Sequence, residues 1–365
     1  MNPVAPPRRI LVIHVTRIGD TLLTTPVLRA LAAAWPDAEI TFAGHRKRIE
    51  VMEHLPFIHR LRNISKHLAP FLGRLGGPRY DLALVFGQDE PLVEYALRVA
   101  ARVVAARQKS DRINRRLFAI AYEDGYVPRN AVTGLLAMLR PLRVVPAGYQ
   151  LSYQVTAAED RWAQDRLARE GIAGRPLVGL QLASFPTKAY RDWPPEHFVA
   201  LCRKILAHHP RAHFLIFGGS AEAARTAYAR DELAGHATSF AGCLSLRQTA
   251  ALMNRLDLYV GVDTGPTHIM GALHRPMVAL YHPTAPSRAL APQEHPCCLA
   301  IDHPLADRGA TFDTPMAEIS VDTVWAGVRA ALAGDRPAPR RPDWLPYDGE
   351  AAQYRTLPAD SCATA

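Results

Sequence analysis

No stretch of about 18 or more apolar residues occurs in the 365-residue chain, so nothing in it reads as a membrane-spanning helix. The opening MNPVAPPRRI has no apolar core of the secretory type, which makes a cytoplasmic location the expectation. Five cysteines (Cys202, Cys243, Cys297, Cys298 and Cys362) show neither metal-ligand spacing nor the density of a disulfide scaffold, as suits reduced thiols. The turn after the first apolar run contains one glycine, Gly19, where the G-x-G-x-x-G dinucleotide fingerprint needs three, and this disfavours an NAD enzyme. No Asp-x-Asp pair stands anywhere, and no short-period repeat is present.

What is present is enough apolar material, 48% of residues, to bury two cores. The expected division is residues 1–155, residues 156–334 and a loose Pro-, Ala- and Arg-rich extension over 335–365. Charge is unevenly placed: residues 1–150 hold 22 Lys and Arg against 12 Asp and Glu, the remainder 21 against 22. The excess is densest from Arg98 to Arg116. Such a face suits a phosphorylated substrate, an acidic lipid surface or nucleic acid, and equally a solvated helix with no partner. Without aromatic interleaving or a nucleic-acid module, no nucleic-acid partner is expected.

The periodicity alternates between strand and helix. Arg9–Val15, Glu39–Ala43, Ile58–Ile64 and Asp81–Phe86 read as strands. Helices are expected over Thr21–Trp35, Arg46–His54, Glu90–Ala106 and Asn130–Leu139, with a linker near Pro141–Tyr153. In the second half, helices at Ala157–Glu170, Pro195–His208, Ala221–Leu233, Ser245–Asn254 and Val321–Leu332 alternate with strands at Leu177–Leu182, Phe214–Phe217, Leu258–Val262 and Met277–Tyr281. This is the pattern of two doubly wound α/β domains, with ligands expected beyond the carboxyl ends of the strands, in a cleft between the halves.

Three clusters carry candidate chemistry. Thr16-Arg17-Ile18-Gly19-Asp20 puts a carboxylate at the mouth of a helix, where it serves as a base or simply as a helix-favouring charge. Lys188 to Glu196 places Lys188 and Arg191 just before a helix start, where cations neutralise a diphosphate. Asp263-Thr264-Gly265-Pro266-Thr267-His268 follows a buried strand. Asp263 or Thr264 can cap the next helix, Gly265 permits close backbone approach, and Pro266 lacks only an N–H that would be orphaned anyway. The helix start attracts phosphate through its N–H groups and dipole.

Together these stretches resemble the family 9 glycosyltransferases, the ADP-heptose:lipopolysaccharide heptosyltransferases. RILVIHVTRIGDTLLTTPVLRALAAAWPDAEITF is similar to that family's opening strand, Gly-Asp turn and T-P-x-L-x-A-L helix. RDWPPEHF resembles its K-x-W-P segment, and AGCLSLRQTAALMNRLDLYVGVDTGPTHIMGAL its V-G-x-D-S/T-G-P-x-H signature. PMVALYHPTAP is similar to the strand and loop that follow.

The resemblance, covering roughly residues 8–332, implies a GT-B fold of two Rossmann-like domains facing across a cleft, acceptor on the first and nucleotide-sugar on the second. It implies an inverting, metal-free transfer of heptose from ADP-heptose to a lipopolysaccharide core acceptor at the inner-membrane surface, with no cofactor. Asp20 is then the base. Thr16, Arg17 and Gly19 face the acceptor, and Lys188, Arg191, Asp263, Thr264, Gly265, Pro266 and His268 face the donor. The family's K-x-W-P lysine falls on Arg191, so Lys188 is a candidate to share its role. Asp263 is expected to hold sugar hydroxyls, and His268 to donate to phosphate or to buttress the turn. Arg17 suits an acidic acceptor or pairs with a nearby carboxylate.

Overall fold

The computed structural model of the chain describes residues 6–74, 77–123 and 130–340; the expected extension beyond 340, with Cys362, lies outside them. The chain divides between Ser152 and Tyr153 into two units, each built on a parallel sheet. The first unit contains β1 (Arg9–His14), α1 (Ile18–Leu22), α2 (Thr25–Ala34), β2 (Glu39–Gly44), β3 (Arg60–Asn63) and β4 (Leu82–Val85). It continues with α3 (Glu90–Val99), β5 (Val103–Ala105), α4 (Asp111–Asn114), β6 (Ala119–Ile120) and α5 (Ala131–Leu136). The second begins with α6 (Ala157–Arg169), β7 (Leu177–Gln181), α7 (Pro195–His208), β8 (His213–Phe217), α8 (Ala223–Glu232) and β9 (Ala237–Ser239). It ends with α9 (Leu246–Met253), β10 (Leu258–Val262), α10 (Gly265–Leu273), β11 (Met277–Tyr281), α11 (Ser287–Leu290), β12 (Cys298–Asp302) and α12 (Val321–Leu332).

The sheets run β3-β2-β1-β4-β5-β6 and β12-β11-β10-β7-β8-β9. Counted within its own unit, each has the order 3-2-1-4-5-6 of a Rossmann sheet. The order reverses between β1 and β4 in the first unit and between β7 and β10 in the second. Such switch points open a crevice at the carboxyl ends of the flanking strands. The central strands are buried on both faces because helices cover both sides of a parallel sheet. Each unit encloses its own core.

Three expected helices come out differently. Thr21–Trp35 is not one helix: helix starts earlier, at Ile18, and is interrupted before Thr25. Pro26 has no N–H to give the Leu22 carbonyl, and the Thr25 hydroxyl donates to that oxygen instead at 2.7 Å. The helical reading of Glu90–Ala106 fails at its end, since α3 stops at Val99 and Val103–Ala105 is a buried strand between β4 and β6. Val103-Val104 is β-branched and apolar, a run too short for periodicity to separate helix from strand. Arg46–His54 holds only a 3-10 turn, Ile49–Met52. The linker stretch is pinned by Arg29, which donates to the Ala147 carbonyl at 3.0 Å, the Ser152 hydroxyl at 2.9 Å and the Gln150 carbonyl. Arg340 is tied down as well: its carbonyl accepts from the Glu294 N–H and its guanidinium donates to Ser287.

Much of the basic run from Arg98 to Arg116 is engaged inside the first unit. Arg98 donates to the Ala69 and Leu72 carbonyls, Arg102 to the Asp81 carbonyl, Arg107 pairs with Glu123, and Arg112 with Glu94. Lys109, Arg115 and Arg116 remain exposed. Among the described residues no helix is long and apolar enough to cross a membrane.

Candidate active site

Both motif-bearing turns fall at switch points. In the first unit, β1 leads through Val15 and Thr16 into α1, whose first turn carries Asp20. Asp20 is exposed, and the Thr16 hydroxyl donates to its Oδ2 at 3.0 Å. The turn is braced from two sides: Arg48 donates to the Thr16 carbonyl at 2.7 Å, and the Thr21 hydroxyl to the Arg17 carbonyl at 2.8 Å. Gly19 is buried, whereas Arg17 is exposed and makes no ion pair among the described residues. Beneath Asp20 lies His14, a residue hidden in the sequence inside an apolar strand. Its Nδ1 is 2.7 Å from the Thr24 hydroxyl, and burial pulls the imidazole down to about 4 against the opposing pull of Asp20. His14 is therefore a neutral neighbour of the carboxylate at neutral pH.

In the second unit, β7 leads through Ser184 into the 3-10 turn Pro186–Arg191, and β10 leads directly into α10. The two turns meet through Arg191, whose Nη1 is 2.5 Å from Asp263 Oδ2. Asp263 is only 4% exposed, and His268 Nε2 faces its other oxygen at 3.4 Å. The carboxylate is thus engaged by a guanidinium and an imidazole. Thr264 is the N-cap residue of α10 but gives it no side-chain bond; the Thr267 hydroxyl reaches back to the Val262 carbonyl at 2.5 Å. Gly265 and Thr267 thus have N–H groups in a first turn without a side-chain cap, and Pro266 subtracts none that mattered.

The structure adds residues that motif reading passed over. Tyr190 sits between Lys188 and Arg191, its hydroxyl 3.4 Å from Lys188 Nζ and 3.3 Å from Arg191 Nε. Burial raises its pKa, but the two cations outweigh that and hold it below the usual tyrosine value. Its ring meets His282 and Phe312 edge-on at 4.9 and 5.0 Å. Asp192 fastens the loop, accepting from the Ser184 N–H and hydroxyl and from Arg225 Nη1 at 2.7, 2.6 and 2.5 Å. Trp193 is fully buried and donates to the Ile319 carbonyl at 2.8 Å. No spacing rule joins Asp192 to Arg225, 33 residues on; a histidine just after a buried strand, as in Tyr281-His282, was a usable signal for His282.

The second unit therefore gathers Lys188, Arg191 and an uncapped helix start at one switch point, an arrangement that stabilises oxygen-borne negative charge. Lys188, Arg191, Asp263 and His268 come together there, while Thr16, Arg17, Gly19 and Asp20 cluster in the first unit.

The model of glycosyltransferase family 9 (heptosyltransferase) matches residues 74–308, which take in the second cluster but not Thr16–Asp20. Lipopolysaccharide heptosyltransferase 3 of Escherichia coli is 27% identical over 288 residues, 73% of this chain and 81% of that relative. Among solved structures, the glycosyl transferase family 9 protein from Veillonella parvula is similar with a TM-score of 0.76 at 21% identity, covering 90% of this chain and 98% of that one. E. coli ADP-heptose LPS heptosyltransferase II is similar at 0.71 and 19%, covering 90% and 99%. At these identities the solved structures speak for the fold, which is GT-B.

Proposed function

The chain belongs to glycosyltransferase family 9, and from that premise we propose that it transfers heptose from ADP-heptose to a sugar of the lipopolysaccharide core, with inversion and without a metal ion. The donor assignment is supported by the relatives: E. coli heptosyltransferase II is named for ADP-heptose, and the E. coli relative for lipopolysaccharide. The observation that carries the reading is the pairing at the β7/β10 switch point of Lys188 and Arg191 with the start of α10. As the anomeric C–O bond breaks, its electron pair leaves with ADP, and these groups meet the growing phosphate charge. The acceptor hydroxyl forms the new bond to the anomeric carbon and passes its proton to Asp20. Thr16 orients that carboxylate through Oδ2. Arg17 and Gly19 lie beside the acceptor, and the acceptor sits in a lipid surface on the cytoplasmic face of the inner membrane. Membership of the family excludes a nucleotide-binding protein without catalysis.

Calorimetry against ADP, UDP and GDP, with nothing else present, tests the donor. ADP is expected to bind most tightly. Equal affinities, or a preference for UDP, would overturn the heptose donor and leave a family 9 transferase using another nucleotide-sugar.

A further inference from the structure

Among the described residues of the first unit, large exposed apolar side chains cluster just after β3, the edge strand of the sheet. Leu68, Phe71 and Leu72 are 54%, 72% and 39% exposed, three large hydrophobic side chains within five residues. They flank and form the 3-10 turn Ala69–Phe71, which is held firmly. Ala69 is fully buried, and Arg98 donates to the carbonyls of both Ala69 and Leu72, at 2.6 and 3.1 Å. The fold thus fixes this turn with its apolar side chains outward.

Beside the turn is a cavity of about 380 Å³ whose lining includes Arg62, Asn63, Leu72, Arg79 and Tyr95. Arg62 and Arg79 are exposed and have no ion-pair partner among the described residues. From Arg60 to Tyr80 the sequence holds five Lys and Arg and no acidic residue. One of them, Arg74, places its guanidinium 5.8 Å over the Phe71 ring. Exposed rings and leucines ringed by cations are disfavoured in water but matched to a bilayer interface, where apolar side chains enter the acyl boundary and arginines hold phosphates.

We propose that this turn docks the protein onto an anionic bilayer, with Leu68, Phe71 and Leu72 entering the interface and a lipid headgroup phosphate occupying the Arg62–Arg79 cavity. The inference refines the reading of a lipid-borne acceptor and stands on different residues. The full-length protein is sedimented with phosphatidylglycerol:phosphatidylcholine vesicles, with pure phosphatidylcholine as control and no acceptor present. Binding should need phosphatidylglycerol and weaken with salt. Phe71→Ser with Leu68→Ser should lower it about tenfold or more, and Arg62→Ala and Arg79→Ala about fivefold each. Arg115→Ala with Arg116→Ala should change it little. Phe71→Trp should show blue-shifted emission on vesicle addition. Unchanged vesicle binding in the Phe71/Leu68 variant overturns the proposal. So does a concentration-dependent dimer broken by Phe71→Ser in a protein that ignores vesicles, which would make the turn a protein interface. Turnover of a deacylated, water-soluble acceptor should survive every substitution. Its absence in the wild-type protein would count against the transferase reading alone and leave the vesicle result standing.

Discussion

Asp20→Asn replaces a carboxylate by an amide of the same shape that accepts hydrogen bonds but no proton. If Asp20 takes the acceptor proton, turnover should fall roughly 10²–10⁴-fold with ADP affinity unchanged. Wild-type turnover would reduce Asp20 to a favourable charge in the first turn of α1. Arg191 needs a different design, because it also neutralises Asp263, which is 4% exposed. Arg191→Ala leaves that carboxylate without its main partner and should cost about 1–3 kcal/mol of stability besides weakening ADP binding. Arg191→Lys, the residue expected from the K-x-W-P pattern, should restore most of both. Arg191→Ala with Asp263→Asn should recover melting temperature but not ADP affinity, measured by thermal unfolding and calorimetry. Recovery of both would mean that Arg191 is only the structural partner of Asp263. The sequence displayed these residues as motifs and hid their pairing: the contact spans 72 positions, and no spacing rule predicts it.

Among the elements, long apolar runs were legible and short ones were not. β10, β11, α7 and α12 run as expected to the residue, because each has an unbroken apolar run or stripe with clear punctuation at both ends. β5, β6 and β9 are two or three residues long and exist because a neighbouring strand offers hydrogen bonds, information that is not local. β10 also carries a packing device. A Cβ on Gly261 would lie 2.5 Å from the Tyr259 hydroxyl, in a strand where both residues are buried. That hydroxyl is 2.8 Å from the Thr267 hydroxyl in the first turn of α10, so the glycine makes room for the ring that steadies the helix start. Gly261→Ala should therefore destabilise by about 1–3 kcal/mol through overpacking and loosen ADP binding with it. An unchanged melting temperature would show that the ring can move aside freely.

At the scale of the whole molecule, three shifted titrations, two of them of buried histidines, act in one direction on acid stability. Burial lowers His14 to about 4 in the first unit. In the second, burial, reinforced by neighbouring His274, lowers His295 to about 3. Glu159 is pushed up by burial, but Arg247 and Thr156 outweigh that and hold it at about 2, where it also completes the capping box of α6. For the histidines the unfolded chain binds a proton near 6.5 while the folded one refuses it until much lower pH. Their contribution is intact above about 6.5 and is lost as pH falls towards 4 and 3. For Glu159 the loss begins near 4.5 and runs down towards 2. Each buried histidine is worth on the order of 3–5 kcal/mol across its window, and the partly exposed Glu159 less, because solvent screens its ion pair. Melting temperature should be level above pH 7 and fall steadily from 6.5 to 4. His295→Asn keeps an acceptor for the Cys297 N–H, which His295 Nδ1 now receives at 3.0 Å, but cannot be protonated. Its melting curve should start lower, from the cavity it leaves, and fall less steeply with acid. A slope identical to wild type would mean that the buried imidazole gains its proton without unfolding the structure around it.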